Sequence, residues 1–276
     1  MSYKTILVHV DLSEQAPRRI GTAARLALEF DAHLTGVAST GLSNFIHPGT
    51  AELSGGLLAA RYDELIADAQ TGLDRFEALV QHAGVPSFER RLASDDIDGG
   101  LALHARYCDL SVFTQADPAG GPLASHDLPE YVVLNAARPV LLLPRAGHAD
   151  VFGTNALIAW DGSHEATRAV AFALPLLKRA RRTVVAVLDP WRGNAHGDQP
   201  GADLALYLSR HGIAVEVRVQ LGRVDRGDAL LTLAADQGAD LLVMGGYGHA
   251  RARELLLGGV TKTILRSMTV PVLMAH

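Results

Sequence analysis

A single cysteine, Cys108, stands among the 276 residues, so the sequence excludes an intrachain disulfide. Aromatic residues amount to only 5%, and the core must therefore come mainly from Leu, Val, Ile and Ala within a 48% hydrophobic composition. No apolar stretch reaches 18 residues, and the first residues do not show the pattern of a secretory signal. These absences predict a cytoplasmic protein with no membrane partner.

Several catalytic and binding motifs are also missing. No serine stands in a G-x-S-x-G pattern, and no G-x-G-x-x-G follows the first strand of either half. The sequence contains no G-x-x-x-x-G-K-[ST] phosphate loop, and its 12 histidines form no cluster with metal-ligand spacing. We therefore predict no catalytic residue and no protein-held metal, with weak ATP hydrolysis as the upper limit of activity.

Charge is distributed unevenly along the chain. Residues 1–148 contain 11 Lys and Arg against 18 Asp and Glu, a net charge of −7, whereas residues 149–276 contain 14 against 12, a net charge of +2. An acidic half is poorly suited to the phosphate neutralisation that dominates nucleic-acid binding. We expect no nucleic-acid partner.

The sequence repeats itself once. An apolar run ends in Asp11 in the first half and in Asp161 in the second, and each aspartate precedes a serine and an Ala-rich helical pattern. Asp109 and Asp240 each open a further apolar run, and both halves close on an apolar run that follows a proline. The repeat predicts two domains, at residues 1–147 and 152–276.

Strands and helices alternate along both halves. The first half includes a long amphipathic helix at 57–83, and the second is predicted to end with a helix at about 252–266 and a strand at 271–275. Continuous apolar strands separated by helices predict an α/β fold in which each half is a doubly wound parallel sheet of five strands. Such sheets bind ligands at the carboxyl ends of their strands.

A glycine-rich segment, MGGYGHARARELLLGGVTK, follows the fourth predicted strand of the second half. Gly245 and Gly248 frame a tight turn, and Gly258 and Gly259 come shortly before the sequence VTK. Glycine lets the backbone approach a ligand closely, and successive N–H groups form an anion-binding nest. A helix that starts nearby adds its partial positive charge. The segment therefore predicts a phosphate-binding loop.

This spacing, G-x-x-G followed after nine residues by a second glycine pair, resembles the nucleotide loop of the universal stress protein family. The resemblance extends in order over both halves and implies tandem Rossmann-like domains of the adenine nucleotide alpha hydrolase type. It also implies a stress-response protein whose second half binds ATP or a related adenine nucleotide, together with Mg²⁺. The positions that match the family's binding residues are Asp161 beside adenine and ribose, Val187 through its backbone, and Gly245, Gly248, Gly258, Gly259 and Val260 around the phosphates.

One position departs from the family pattern. Gly259 stands where the family has Ser or Thr, so the backbone N–H is kept but a hydroxyl donor is lost. Thr261, two residues later, is the candidate replacement and completes the predicted site. This departure leaves three functions open: a nucleotide-binding regulator, a weak ATPase that uses His249 or Asp161, and a nucleotide-free scaffold or small-molecule carrier.

The first half has no comparable loop. Thr114 stands where Gly245 would be expected, Asp117 would place a carboxylate beside the phosphates, and Pro118 and Pro122 remove N–H donors. We predict that this half binds no nucleotide and serves as a degenerate partner domain. In the family, closing strands pair two domains, so the resemblance implies an intrachain pseudo-dimer of the halves and leaves a homodimer open.

Overall fold

The computed structural model describes residues 2–41, 56–93, 97–117, 128–146, 151–188, 199–220, 225–247 and 259–276. The strands are β1 (Thr5–Val10), β2 (His33–Ser39), β3 (Phe88–Ala93), β4 (Leu110–Thr114), β5 (Val140–Leu143), β6 (Asn155–Trp160), β7 (Arg182–Leu188), β8 (Val215–Gln220), β9 (Leu241–Gly245) and β10 (Val272–Ala275). The helices are α1 (Ala16–Phe30), α2 (Gly56–His82), α3 (Ile97–Ala105), α4 (Leu128–Asn135), α5 (His164–Leu177), α6 (Ala202–Arg210), α7 (Arg226–Asp236) and α8 (Val260–Ser267).

The chain divides into two compact units, residues 2–138 and residues 139–276. In the first unit, parallel strands lie in the order β3-β2-β1-β4. In the second, β10-β9-β6-β7-β8 are parallel, and β5 pairs antiparallel with β10. The predicted α/β fold, with parallel strands alternating with helices, is confirmed. The strand that closes the first sequence repeat, β5, lies in the second compact unit because its partner there is β10.

The central strands form the core of each unit. In β1, Ile6, Leu7 and Val8 are inaccessible to solvent, as are Leu157 and Ile158 in β6. Runs of this kind are buried on both faces because helices cover both sides of a parallel sheet. This arrangement explains why the strands appear in the sequence as continuous apolar segments rather than as alternating ones.

Two aspartates at equivalent positions of the repeat fix the amino ends of the central strands. The Oδ2 atom of Asp109 accepts hydrogen bonds from the backbone N–H groups of Lys4 and Thr5, at 2.7 and 3.0 Å. Asp240 accepts from three consecutive N–H groups that end at Asn155, at 2.8 to 3.0 Å. Hydrogen bonds to a carboxylate are stronger than neutral ones. The repeat that is seen in the sequence is therefore also present in the structure.

The structure describes one of the two predicted helices in full and the other in part. The long helix predicted at 57–83 is confirmed as α2, which buries Phe76 and Val80 completely. The helix predicted at about 252–266 is not continuous, because Gly259 has φ −115° and ψ 168° and caps α8, which begins at Val260. Residues 248–258 lie outside the described part of the chain. Among the described helices, none is long and apolar enough to cross a bilayer.

Candidate functional site

The strand order of the second unit reverses between β6 and β9. From β6 the chain passes to β7 and β8 on one side, and it then returns to β9 on the other side. In a parallel sheet, the carboxyl ends of two such strands flank a crevice, and this is where open α/β sheets bind ligands. Asp161 directly follows β6, and Gly245 is the last residue of β9.

Asp161 lies at the entrance to helix α5. Its Oδ1 atom accepts a hydrogen bond from the N–H of Ser163 at 3.0 Å, across Gly162, which has a φ of 75°. The Ser163 hydroxyl oxygen in turn caps α5 by accepting from the N–H of Ala166 at 3.1 Å. The turn holds the carboxylate of Asp161 in place. Because the side chain is exposed, this carboxylate remains accessible to a ligand hydroxyl.

Gly245 packs against the first turn of α5. A Cβ atom at this position would lie 2.5 Å from the backbone nitrogen of Ala166 and 2.7 Å from the carbonyl carbon of Glu165. Only glycine allows the end of β9 to approach the helix backbone this closely. Gly245 is thus required for packing whether or not a phosphate is bound, and its predicted phosphate contact stays a prediction.

A second contact joins the end of β9 to helix α8. Tyr247 has a φ of 58°, and its N–H donates to the hydroxyl oxygen of Thr261 at 3.2 Å. Thr261 is only 8% exposed and belongs to the first turn of α8. The hydroxyl that was predicted to donate to a phosphate therefore accepts a hydrogen bond within the loop. The segment after β9 is held against the N-terminal ends of both α5 and α8.

Gly259 caps α8 without a side chain. A Cβ atom added to it would meet no atom of the described residues within 4 Å, and its extended backbone is one that any residue adopts. The first N–H groups of a helix have no partner within the helix and attract anions. Val260 is the first residue of α8 and is half-buried. Within the described part of the chain, the space at Gly259 therefore lies next to the first N–H groups of α8.

Of the other predicted site residues, the structure describes Val187 but not Gly248 or Gly258. Val187 is buried in β7, where it lies opposite Trp160 of β6 and Val219 of β8. It precedes the last residue of its strand, and its predicted backbone contact with adenine stays a prediction. Gly248 and Gly258 lie outside the described residues, as does His249.

The corresponding point of the first unit is filled by an arginine. The side chain of Arg19, from α1, is 3% exposed and reaches the ends of both β1 and β4. Its Nε donates to the carbonyl oxygen of His9 at 2.7 Å, and its Nη1 donates to the Thr114 hydroxyl at 2.9 Å. Its Nη2 pairs with Asp11 Oδ1 at 2.8 Å. The guanidinium thus occupies the reversal point between β1 and β4.

Charges in this cluster compensate each other. Burial raises the pKa of Asp11, but the Arg19 guanidinium, His9 and the hydrogen bond from Ser13 outweigh burial and hold this pKa well below its usual range. Burial, aided by Arg19, lowers the pKa of His9 to about 4, against the opposing effect of Asp11. His9 is therefore neutral at pH 7, and its ring stacks on Phe113. Asp11 already has a cation as its partner.

Sequence reasoning did not identify Arg19, because a charged residue on an amphipathic helix normally faces solvent. The repeat contained a usable signal: in the register that aligns Asp11 with Asp161, Arg19 aligns with Ala169, which is fully buried in α5. A charged residue aligned with a buried alanine indicates that the two repeats differ in structure at this point. Among the described residues, no group of three or more His, Cys, Asp and Glu side chains is placed to hold a metal ion.

Residues 154–276 match the model of the Universal stress protein family. The second half of the chain is therefore similar to this family. A universal stress protein of Synechocystis is 29% identical over 150 residues, which cover 52% of this chain and 49% of that relative. The chain thus spans about half the length of this curated relative.

Solved universal stress proteins are among the structures that are similar to this chain. One from Archaeoglobus fulgidus superposes with a TM-score of 0.73 at 17% identity, covering 98% of this chain and 97% of that one. Another from the same organism, solved in complex with dAMP, has a TM-score of 0.35 at 20% identity and covers 51% of this chain and 98% of its own. Binding of dAMP is a property of that protein.

Proposed function

We propose that this chain is a universal stress protein that acts as an adenine-nucleotide-binding regulator and that the second unit holds one ATP or a related nucleotide. The observation that carries the proposal is the meeting of two helix N-termini at the end of β9. Gly245 contacts the start of α5, and Tyr247 is hydrogen-bonded to the start of α8. Two sets of helix N–H groups around one glycine-rich turn are suited to a polyphosphate.

The remaining predicted contacts fit this arrangement. The exposed carboxylate of Asp161 accepts hydroxyl donors and therefore suits a ribose, and the open space at Gly259 leaves room for phosphate oxygens. Mg²⁺ would arrive with the nucleotide, because it commonly binds through substrate phosphates with few protein ligands. The first unit would bind no nucleotide, because Arg19 already occupies the equivalent crevice and neutralises Asp11.

The test is calorimetric titration of the nucleotide-stripped full chain with Mg²⁺-ATP. We expect about one site per chain. Gly259→Val should abolish binding while the protein stays folded, because the position has space for a side chain that would then stand over the helix donors. Gly259→Ser is the matched control, since it fills the same space with a donor, and we expect it to bind ATP at least as tightly as the wild type.

The outcomes separate the candidate functions. Retained affinity in folded Gly259→Val would contradict the assignment of the loop. No binding by wild type or Gly259→Ser up to millimolar ATP would favour the nucleotide-free scaffold or carrier. Release of phosphate at a rate that depends on Asp161 would instead favour the weak ATPase. Gly245 is unsuitable for this test, because any side chain there would clash with the α5 backbone and disturb the fold.

A further inference from the structure

Strand β8 forms an edge of the second unit. Among the described strands it is paired with β7 alone. Val219 is 49% exposed, and the Arg218 side chain is 53% exposed. An accessible edge strand presents unpaired N–H and C=O groups, and most proteins protect such edges with charge or by covering them.

The side chains of β8 alternate between apolar and charged. Val217 faces α6, since its Cγ1 would lie 3.0 Å from a Cβ placed on Gly201, the residue that caps this helix. Val215 and Val219 share that face because strand side chains alternate with a period of two. Helix α6 packs on β8 and exposes Leu206 and Tyr207. The edge therefore has an apolar face.

The opposite face of β8 carries a paired charge. Glu216 forms ion pairs with Arg182 of β7, at 3.0 Å, and with Arg218 of its own strand. Hydrogen bonding from Arg182, together with the charge of Arg218, lowers the pKa of Glu216, so this carboxylate is ionised at neutral pH. Negative and positive side chains thus stand two residues apart on one face of an exposed edge.

This order of charges is self-complementary. When a second β8 strand runs antiparallel and the two-fold axis passes beside Val217, residue 216 of each copy lies opposite residue 218 of the other. Glu216 then meets an arginine on both sides of the axis, and Val215 meets a valine. In such an isologous contact, the same residues of both copies form the same ion pairs.

The edge strand of the first unit provides an internal comparison. β3 has the same order of charges, because Glu89 pairs with Arg91 at 2.6 Å. At the position equivalent to Val217, however, it carries Arg90, which is held by Asp74 and Glu77 of α2 at 2.6 and 2.9 Å. A charge on the helix-covered face protects an edge from pairing. An apolar face without a central charge is therefore specific to β8 among these two edge strands.

We propose that β8 is an interaction surface for a second copy of this chain, which adds antiparallel about Val217 and extends the sheet of the second unit. The charged face sets the register through the Glu216–Arg218 pairs. The valine face and the exposed side chains of α6 supply the apolar contact.

Sedimentation velocity over a concentration series tests this interface with a pair of complementary variants. Glu216→Arg makes the charged face of β8 wholly positive, and Arg218→Glu makes it wholly negative, so each variant alone places like charges opposite each other. We expect the wild type to dimerise by roughly 100 μM and each variant to associate about tenfold or more weakly. An equimolar mixture of the two should recover dimers, because opposite charges then face each other at both positions.

A second pair of variants tests the apolar face. Val219→Lys should weaken association, whereas Leu92→Lys, at the equivalent exposed position of β3, should leave it unchanged. A wild type that stays monomeric to roughly 100 μM would overturn the proposal. So would a dimer that all four variants retain, or a mixture of the two charge variants that remains monomeric while both are folded by circular dichroism.

Discussion

Gly245 and Gly259 belong to one sequence pattern, yet each is a glycine for a different physical reason. Gly245 has no room for a side chain because the backbone of α5 lies against it, whereas no described residue lies within 4 Å of a Cβ built on Gly259. The sequence predicts both as phosphate contacts, since spacing alone does not distinguish close packing from ligand access. The distinction depends on where α5 lies, and that position is set by the tertiary structure.

The open position allows a stability prediction. Gly259→Ser should raise the free energy of unfolding by about 0.5 kcal/mol, because serine is a good N-cap and restricts the unfolded chain more than glycine does. Urea denaturation of the ligand-free protein measures this change. Gly259→Ala is the control that keeps the backbone restriction without the capping oxygen. A serine variant that is less stable than the alanine variant would contradict the assigned capping role.

Arg19, Asp11 and His9 form a buried cluster whose charges depend on pH. The folded-state pKa of His9, about 4, lies below its usual value of 6.5. As the pH falls through this window, the unfolded chain takes up a proton before the folded chain does, so stability is lost. Protonation of Asp11 extends the loss below pH 4, because its folded-state pKa is also depressed.

We therefore expect the free energy of unfolding to fall by up to about 1.4 kcal/mol per pH unit between pH 6.5 and 4. His9→Gln removes the titrating ring and should flatten this slope. His33→Gln, which changes a more exposed strand histidine of the same unit, serves as the control and should keep the slope. Denaturant titrations at several pH values provide the measurement, and equal slopes in wild type and His9→Gln would refute the buried neutral histidine.

At the scale of elements, the strands were the most predictable part of the fold. The apolar runs predict strands at 33–39, 155–160 and 182–188, and β2, β6 and β7 begin and end at these residues. Burial on both faces leaves a continuous hydrophobic signal in such strands. Helix α8 was less predictable at its start. The apolar residues on both sides of Gly259 fit one helical period, so the sequence does not show a break there. The extended backbone of Gly259 shows that α8 begins at Val260.

The Thr261 hydroxyl links the residues that follow β9 to helix α8. Thr261→Val keeps the shape of the side chain but leaves the N–H of Tyr247 without its acceptor, which should cost about 1–3 kcal/mol if the group stays buried. We also expect weaker ATP binding, because the turn after β9 loses its connection to α8. Thermal unfolding and calorimetry measure the two effects.

Thr263→Val is the matched control for this substitution. It lies on the same helix and contacts α7 at Gly227 through its Cβ and methyl carbon, which valine retains. We expect it to leave both stability and ATP affinity nearly unchanged. Equal effects of the two substitutions would mean that helix propensity, and not the Tyr247 hydrogen bond, causes the loss.

At the scale of the whole molecule, two related units present different crevices. The second leaves Asp161 accessible beside two helix N-termini, whereas the first encloses Arg19 at the equivalent place. The repeat and the missing first loop were visible in the sequence. The role of Arg19 was visible only through its alignment with Ala169 in the repeat, because no local pattern reveals that α1 places this side chain between β1 and β4.

Hydrogen exchange followed by mass spectrometry tests this asymmetry in the intact chain. With saturating ATP, we expect slower exchange at residues 161–166, 245–247 and 259–264. Residues 9–19 and 110–117 should exchange at the same rate with and without nucleotide. The Gly259→Val protein with ATP provides the baseline, and protection around Arg19 in the wild type would contradict a single site per chain.

The antiparallel pairing of β5 with β10 determines which residues the second compact unit needs in order to be complete. Val140 lies opposite Met274, so the strand that ends the first repeat is part of the compact unit that contains the second. The duplicated segment and the packed unit are therefore offset by one strand. A deletion that removed the first repeat up to its border would also remove the neighbour of β10 and expose that strand's edge. The second repeat therefore does not form its compact unit alone, because one strand of that unit comes from the first repeat.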